Sequence, residues 1–253
     1  MNRFAEMAGG YGTAARGGTG AVPAVGDYVQ FGHYPQTADG DSLPIEWMVL
    51  EADGEAALLI SRHALDCQPY DAGGASISWE RCTLRIWLNG EFYSRAFDAE
   101  ERKSLLKSDV RTDEEAEDSV APGSATRDYV LLLSLSEAKR YFERDEARWC
   151  TATPFAIQQG VGTDDDDSSC RWWLRSPSQA CGCEMVVVES GDVDEFGCDP
   201  HDDDCGVRPC VRVRLSDLTR VPRGDSKRED SRKSSFHDDR AAYGMDGLLA
   251  FVR

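Results

Sequence analysis

The sequence predicts a mixed α+β domain over residues 25–216, flanked by two segments without regular structure. Three observations support this class: β-prone runs near both ends of the range, runs with helical spacing between them, and flanks that lack any apolar period. The chain has 253 residues and is 41% hydrophobic. That apolar fraction is sufficient for one sizeable core and argues against wholesale disorder.

The charge balance limits the classes of partner. The chain carries 28 Lys and Arg against 46 Asp and Glu, a net charge of −18. Such a chain repels phosphate backbones and anionic bilayers, so we expect neither nucleic acid nor membrane as a partner. No apolar run approaches the roughly 20 residues of a spanning helix, and a signal-peptide block is lacking. We therefore expect a cytoplasmic protein with reduced thiols, and nine cysteines leave at least one unpaired.

The first elements are strands. Residues 1–24 are rich in Gly, Ala and Thr and read as a flexible leader. From Asp27 to Phe31 the chain alternates, as a half-buried strand does. The runs Ile45–Leu50 and Glu55–Ile60 flank an Asp-Gly pair at Asp53, which predicts a β-hairpin.

Two helices are expected next. Ser78 is a candidate N-cap for a segment in which Leu84, Trp87 and Leu88 have helical spacing, ending near Asn89–Gly90. The sequence from Asp98 to Glu101 resembles a capping box, and it predicts a second helix with Leu105 and Leu106 on its apolar side.

Strands and loops make up the remainder of the domain. Residues 111–128 form an acidic loop, residues 129–133 a buried strand, and Ser136 with Glu137 starts a short helix. Further strands are predicted over residues 171–175, 185–188 and 207–215, with a turn at residues 190–192. Residues 217–253 have mixed charge and few apolar residues, which is typical of a disordered tail; Leu248–Val252 is its only apolar patch.

Six blocks occur in order along the chain: residues 26–37 (GDYVQFGHYPQT), 44–47 (PIEW), 57–61 (ALLIS), 83–89 (TLRIWLN), 172–177 (WWLRSP) and 206–209 (GVRP). These blocks resemble a large uncharacterised bacterial domain family that is similar to the C-type-lectin-like superfamily. That superfamily includes the formylglycine-generating enzymes and the variable proteins of diversity-generating retroelements. The resemblance implies a twisted antiparallel sheet with two or three helices, long loops, and paired first and last strands; Tyr28–Phe31 should then bond to Val207–Leu215.

The segment between Pro177 and Gly206 departs from the family pattern where such a fold would present its ligand. Gly191, Val193 and Gly197 look like the Gly and Val scaffold that relatives have in this segment. The leading prediction is therefore a non-enzymatic domain that recognises a protein or small ligand through a divergent loop face at about residues 178–204; a tolerant solvent loop is the alternative. The predicted binding residues are Ser178, Gln179, Cys181, Cys183, Val188, Asp192, Asp194, Glu195, Phe196, Asp199, His201 and Asp202.

Metal binding provides a further hypothesis, although no cofactor is expected. Thiolate and imidazole ligands suit zinc, so a zinc-stabilised structural domain is one alternative. Acidic clusters at residues 164–167 and at 199 with 202–204 could hold calcium, but the calcium motifs of true C-type lectins are absent. The candidate zinc ligands are Cys181, Cys183, Cys198, His201 and Cys205.

An enzyme that acts through cysteine and metal, as the formylglycine-generating group does, is the other alternative. A nucleophilic thiol needs a lowered pKa, and the acidic residues around these cysteines should raise it instead.

Several large side chains have structural interpretations. Trp47, Trp87 and Trp149 are expected in the core. Trp172 and Trp173 alternate on one strand, so one of them could line the ligand face. Arg175 and Arg208 are expected to anchor carboxylates.

Overall fold

The computed structural model describes residues 22–73, 78–111, 123–164, 168–178 and 182–220, with the backbone alone at 219–220. The chain divides into two units, residues 1–220 and 221–253, and all described residues belong to the first. Most of the predicted leader, the tail beyond Arg220, much of the acidic loop, Asp165–Asp167, Gln179 and Cys181 lie outside the described residues. Strand pairing extends the described unit to Arg220, beyond the expected boundary at residue 216.

The described residues form a mixed α+β domain that consists mostly of sheet. Its helices are short: α1 Thr83–Trp87, α2 Tyr93–Ala96, α3 Glu101–Ser104, α4 Leu135–Tyr141 and α5 Pro154–Gln159. Its strands are β1 Tyr28–Pro35, β2 Ser42–Ala52, β3 Ala56–Ser61, β4 Asp66–Cys67, β5 Leu105–Leu106, β6 Ser108–Val110, β7 Thr126–Asp128, β8 Val130–Leu131, β9 Trp172–Pro177, β10 Glu184–Val187, β11 Val193–Cys198, β12 Gly206–Val207, β13 Cys210–Arg214 and β14 Thr219–Arg220.

The larger sheet is antiparallel, in the order β14-β1-β2-β3-β13-β5, and β8 also pairs with β13. The first and last described strands pair, with Val29 opposite Arg220. The expected pairing of Tyr28–Phe31 with Val207–Leu215 is wrong. The predicted hairpin at Asp53 consists of β2 and β3. Since β2 pairs with β1 and β3 pairs with β13, both strands of this hairpin lie between β1 and β13 in the sheet.

A second sheet has the order β11-β10-β9-β12-β4, with β11 at one end, and its only parallel pair among the described strands is β9 with β12. The remaining two strands, β6 and β7, pair with each other. Trp172 and Trp173 on β9 are both fully buried. The expectation that one of them could line a ligand face is therefore wrong, because the sheet is covered on both sides at this point.

The helical region differs from the prediction in its limits. Helix α1 is capped by Cys82 rather than Ser78, and the helical path continues through a π-turn, Leu88–Phe92, into α2. It does not end at Asn89–Gly90, because Asn89 lies within the helix and bonds to the backbone of residues 129 and 130. The capping interactions of Asp98 with Glu101 are present, but Leu105 and Leu106 form a strand.

Buried polar contacts connect the elements around one hydrophobic core. Arg175 bonds to the carboxylate of Glu137, as expected, whereas Arg208 bonds to backbone carbonyls and lies over Trp172. Helix α4 has Ser134 as its N-cap, two residues before the expected start at Ser136, with a reciprocal capping box to Glu137. Trp149 is 41% exposed, so its placement in the core was wrong. None of the helices in the described ranges is long and apolar enough to cross a membrane.

Candidate functional site

The predicted loop face is a β-hairpin followed by an anchored loop. Strands β10 and β11 pair antiparallel, and the expected turn joins them: the N–H of Val188 donates to the carbonyl of Asp192 at 2.9 Å. Gly191 has φ +92°, and a Cβ there would lie 2.1 Å from the carbonyl oxygen of Asp145. Only glycine fits this close backbone approach, so Gly191 is a scaffold position as expected.

A bulge in β11 gives this hairpin its shape. Val186 pairs with Asp194, yet Glu184 pairs with Cys198, so β11 has two more residues than β10 between these pairs. One carboxylate oxygen of Asp194 accepts from the N–H groups of Phe196 (2.9 Å) and Gly197 (3.2 Å). A bulge of this kind redirects a side chain. Phe196 consequently points outward and is 69% exposed.

The second scaffold glycine lies at the base of this bulge. Gly197 has φ +69°, and an added Cβ would lie 2.1 Å from the carbonyl oxygen of Glu184. Val193 is half-buried and packs against the core. The bulge that presents Phe196 therefore has a fixed backbone beneath it.

The predicted binding residues do not all share this surface. Asp192, Phe196, Asp199 and His201 are exposed, and Cys183, Asp194, Glu195 and Asp202 are partly exposed. Ser178 is buried, and Val188 packs against the core, so neither belongs to an exposed face. Gln179 and Cys181 lie outside the described residues.

The loop 199–204 is bound to the domain at three points. The carbonyl of Pro200 accepts from the N–H of Asp71 at 2.9 Å, and that of Asp204 from the N–H of Gly162 at 2.9 Å. The carbonyl of Asp203 accepts from the thiol of Cys67, also at 2.9 Å. These contacts fix the backbone while leaving acidic side chains at the surface.

Negative charge dominates the loop. Partial burial, followed by the charges of Asp204 and Asp199, raises the pKa of Asp202. The pKa of Asp199 is lowered, because its carboxylate accepts from the backbone and ring nitrogens of His201. On the hairpin, Glu195 pairs with Lys139 at 2.7 Å. The exposed side chains therefore combine the apolar ring of Phe196 with mainly acidic neighbours.

Two thiols meet at the junction of β11 and the loop. Cys205 donates a hydrogen bond to Cys198, and Arg171 Nη1 lies 3.5 Å from Cys198 Sγ. These contacts lower the pKa of Cys198 to about 7 despite partial burial. The expectation that nearby carboxylates raise thiol pKa values holds for Cys183, after the effect of burial. Asp202 also raises the pKa of Cys198, but the contacts with Cys205 and Arg171 outweigh it, so the expected net increase is wrong for Cys198. No local pattern links Arg171 to Cys198, because the two residues are 27 positions apart in the chain.

The metal hypotheses receive no geometric support from the part of the chain that the structure describes, where no group of three or more His, Cys, Asp or Glu is arranged to hold a metal ion. Cys181 of the candidate zinc set and Asp165–Asp167 of a candidate calcium cluster lie outside that part. The eight described cysteines are all unpaired thiols.

Sequence reasoning missed Glu184, which lies beneath the hairpin. Its side chain is 2% exposed, and its Oε2 atom has no hydrogen-bond partner among the described residues. Burial raises its pKa to about 9, so the carboxyl group is protonated at neutral pH. A Glu adjacent to a half-exposed Cys gives no sign of this in sequence, because all four residues of β10 become buried only when distant parts of the chain pack around the strand.

A separate surface depression of about 520 Å³ lies at the end of the larger sheet. It includes none of the predicted binding residues. Its lining is Asp53, Gly54, Glu55, Ala56, Leu106, Arg212, Arg214 and Ser216.

The fold and this surface define an α+β domain that presents a bulged hairpin and an anchored acidic loop. Residues 54–215 match the family described as a domain of unknown function, DUF6273, and the chain belongs to this family. The matched range includes the whole hairpin and loop, whereas the two N-terminal blocks at residues 26–37 and 44–47 precede it. Neither the curated proteins nor the solved structures contain a match to the chain.

Proposed function

We propose that this domain recognises a protein partner through the β10–β11 hairpin, with Phe196 as the apolar anchor. The observation that carries the proposal is the bulge: Asp194 and Gly197 hold a backbone distortion whose consequence is a 69% exposed aromatic ring. Large aromatic side chains are enriched among the few residues that dominate binding energy at interfaces. An exposed aromatic ring lowers the solubility of a protein. A specific backbone structure that holds such a ring at the surface therefore favours a binding role for it.

The shape of the site favours a protein over a small ligand. Small molecules bind in concave pockets, where most of their surface is covered. Phe196 instead projects from an end strand of the sheet. A projecting ring fits a pocket on a partner, and the acidic side chains of Asp192 and Asp199 favour Lys or Arg around that pocket.

The scaffold in this proposal is C-type-lectin-like. The pairing of β1 with β14 and the placement of the hairpin and long loop beyond β9 support that assignment. Recognition does not depend on it, since function resides in the site and not in the fold.

The test uses photo-cross-linking from position 196 in extract of the source cells, with competition by unlabelled protein. A cross-linked protein band should appear, and excess wild-type chain should abolish it. Phe196→Ala protein should compete at least about 30-fold less well, corresponding to ~2 kcal/mol of lost binding energy. Added salt should weaken the interaction, because exposed charges contribute to it.

The matched control is Ile86, which is 62% exposed on α1, remote in sequence from the hairpin. Ile86→Ala protein should compete like the wild type. Equal competition by the Phe196→Ala protein, or a band that no wild-type competitor removes, would contradict the proposal. The melting temperatures of both variants should match that of the wild type, because the side chains of Phe196 and Ile86 are both exposed.

A further inference from the structure

The side-chain amide of Asn89 connects the π-turn Leu88–Phe92 to the backbone at the start of β8. Its Nδ2 atom donates to the carbonyl oxygens of Val130 at 2.8 Å and Arg85 at 3.1 Å. Its Oδ1 atom accepts from the N–H groups of Tyr129 at 2.9 Å and Val130 at 3.2 Å. Both donors of the amide and its acceptor oxygen are therefore used, and a carboxylate cannot supply this combination.

Gly90 follows Asn89, and the fold gives no steric reason for a glycine at this position. Gly90 lies inside the π-turn, its φ is not positive, and a Cβ added to it would meet nothing within 4 Å. Glycine is disfavoured relative to alanine inside a helix, so this glycine lowers stability. Asparagine is also scarce, since Asn2 and Asn89 are the only two in the 253 residues. What Gly90 does change is the reactivity of the residue before it.

An Asn-Gly pair is open to deamidation, because the second residue has no Cβ to hinder attack on the asparagine side chain. The backbone nitrogen of Gly90 attacks the side-chain carbonyl carbon of Asn89: a carbon–nitrogen bond forms, the bond to Nδ2 breaks, and ammonia leaves with the proton of the Gly90 amide. Water then opens the succinimide ring at either carbonyl, which gives an aspartate or an isoaspartate at position 89. The sum of the two steps is hydrolysis of the amide to a carboxylate and ammonium.

The folded domain opposes the first of these steps in two ways. Ring closure requires the backbone at Asn89 to rotate out of the helical conformation, in which the π-turn holds it. It also requires the side-chain amide to leave its four hydrogen bonds. The reaction therefore needs an opened chain, and its rate should follow the population of that open state.

Either product is incompatible with the native contacts. An aspartate replaces Nδ2 by an oxygen, which would face the carbonyl oxygens of Val130 and Arg85 with no proton between them. An isoaspartate adds a methylene group to the backbone inside the π-turn, which changes the path of the helix.

We propose that Asn89 is a deamidation site that the folded domain protects, and that its conversion in an opened chain prevents return to the native fold. This inference is independent of the proposed recognition function, because neither the contacts of Asn89 nor the chemistry of the Asn-Gly pair involves the β10–β11 hairpin.

The first test compares the folded and the denatured chain at pH 8, in buffer or in guanidinium chloride, with a reducing agent in both. Trypsin releases Asn89 in the peptide Ile86–Arg95, where it is the only Asn, and mass spectrometry after chromatography measures the aspartate and isoaspartate forms. Asn89 should convert at least about tenfold more slowly in the folded chain. Equal rates would overturn the protection, and a denatured chain that keeps Asn89 intact would overturn the site.

Gly90→Ala is the matched variant, because its added Cβ fits the fold. It should melt at a higher temperature than the wild type, since alanine favours the helix. In guanidinium chloride it should lose most of the deamidation rate of Asn89. A Gly90→Ala chain that deamidates there as fast as the wild type would refute the role assigned to Gly90.

Refolding after increasing times in guanidinium chloride tests the consequence. The wild-type yield should fall with time; the refolded fraction should retain Asn89, and the fraction that fails to refold should carry the aspartate or isoaspartate. The Gly90→Ala yield should stay constant over the same times. Asn89→Asp should melt at a lower temperature than the wild type or fail to fold. Equal proportions of modified residue in the two wild-type fractions, or an Asn89→Asp protein as stable as the wild type, would overturn this part of the proposal.

Discussion

Replacing Glu184 with Gln should stabilise the domain increasingly as the pH rises. Glu184 is 2% exposed, and its Oε2 atom has no hydrogen-bond partner among the described residues. Burial raises its pKa from 4.5 to about 9. In the unfolded chain the same carboxyl group ionises freely near its ordinary pKa. Folding at neutral pH therefore requires the uptake of a proton, which opposes folding.

The sign and size of the effect follow from linkage between protonation and folding. The folded pKa is above the unfolded one, so stability from this group is fully present below about pH 4.5 and is lost as pH rises through about 9. At about 1.4 kcal/mol per pH unit, the loss is ~3 kcal/mol at pH 7 and less than about 1 kcal/mol at pH 5. Gln has no such titration. The free energy of unfolding of Glu184→Gln, relative to wild type, should therefore rise by roughly 2 kcal/mol between pH 5 and pH 7.

The assay is urea unfolding followed by tryptophan fluorescence at pH 5, 6, 7 and 8. The matched control is Val186→Ala on the same strand, because Val186 is fully buried but carries no titratable group. That control should be less stable than wild type by an amount that does not change with pH. A Glu184→Gln difference that stays constant across the range, or that falls as the pH rises, would show that the carboxyl group of Glu184 does not lie buried and uncompensated among the described residues.

Two further predictions concern the scaffold beneath the hairpin. Trp173→Ala should lower the free energy of unfolding by ~3–5 kcal/mol in urea titrations, because the indole is fully buried. Trp149→Ala is the control and should lower it much less, because Trp149 is 41% exposed. Equal losses in the two variants would contradict the burial of Trp173. Gly197→Ala should lower the melting temperature, because the added Cβ lies 2.1 Å from the carbonyl of Glu184 at φ +69°. An unchanged melting temperature would show that the bulge does not have this geometry.

Local sequence patterns predicted the elements that depend on neighbouring residues. The hairpin at Asp53, the capping interaction of Asp98 and the turn at residues 190–192 all form as expected. Each is stabilised by hydrogen bonds between residues a few positions apart. The alternation of β13 was also correct, with Val211 and Val213 buried. Such features are encoded locally, so one sequence suffices to find them.

Helix limits were predicted less well. Gly90 and Asn89 gave a local stop signal, but the helical path runs on to Ala96 because the Asn89 side chain bonds to a distant backbone. Leu105 and Leu106 have helical surroundings in sequence, yet β13 draws them into the larger sheet. In both cases contacts between distant segments outweighed a weak local preference.

The amino-acid sequence alone was enough to predict the α+β class, the turn at residues 190–192 and the glycines beneath the hairpin and loop segment that follows β9. Tertiary structure decided which side chains of that segment meet and which are buried. It placed Ser178 inside, projected Phe196 from a bulge, and brought Arg171 and Cys205 to Cys198. The physical reason is that burial and charge at a side chain depend on groups far away in the chain, while a turn or cap depends only on its neighbours.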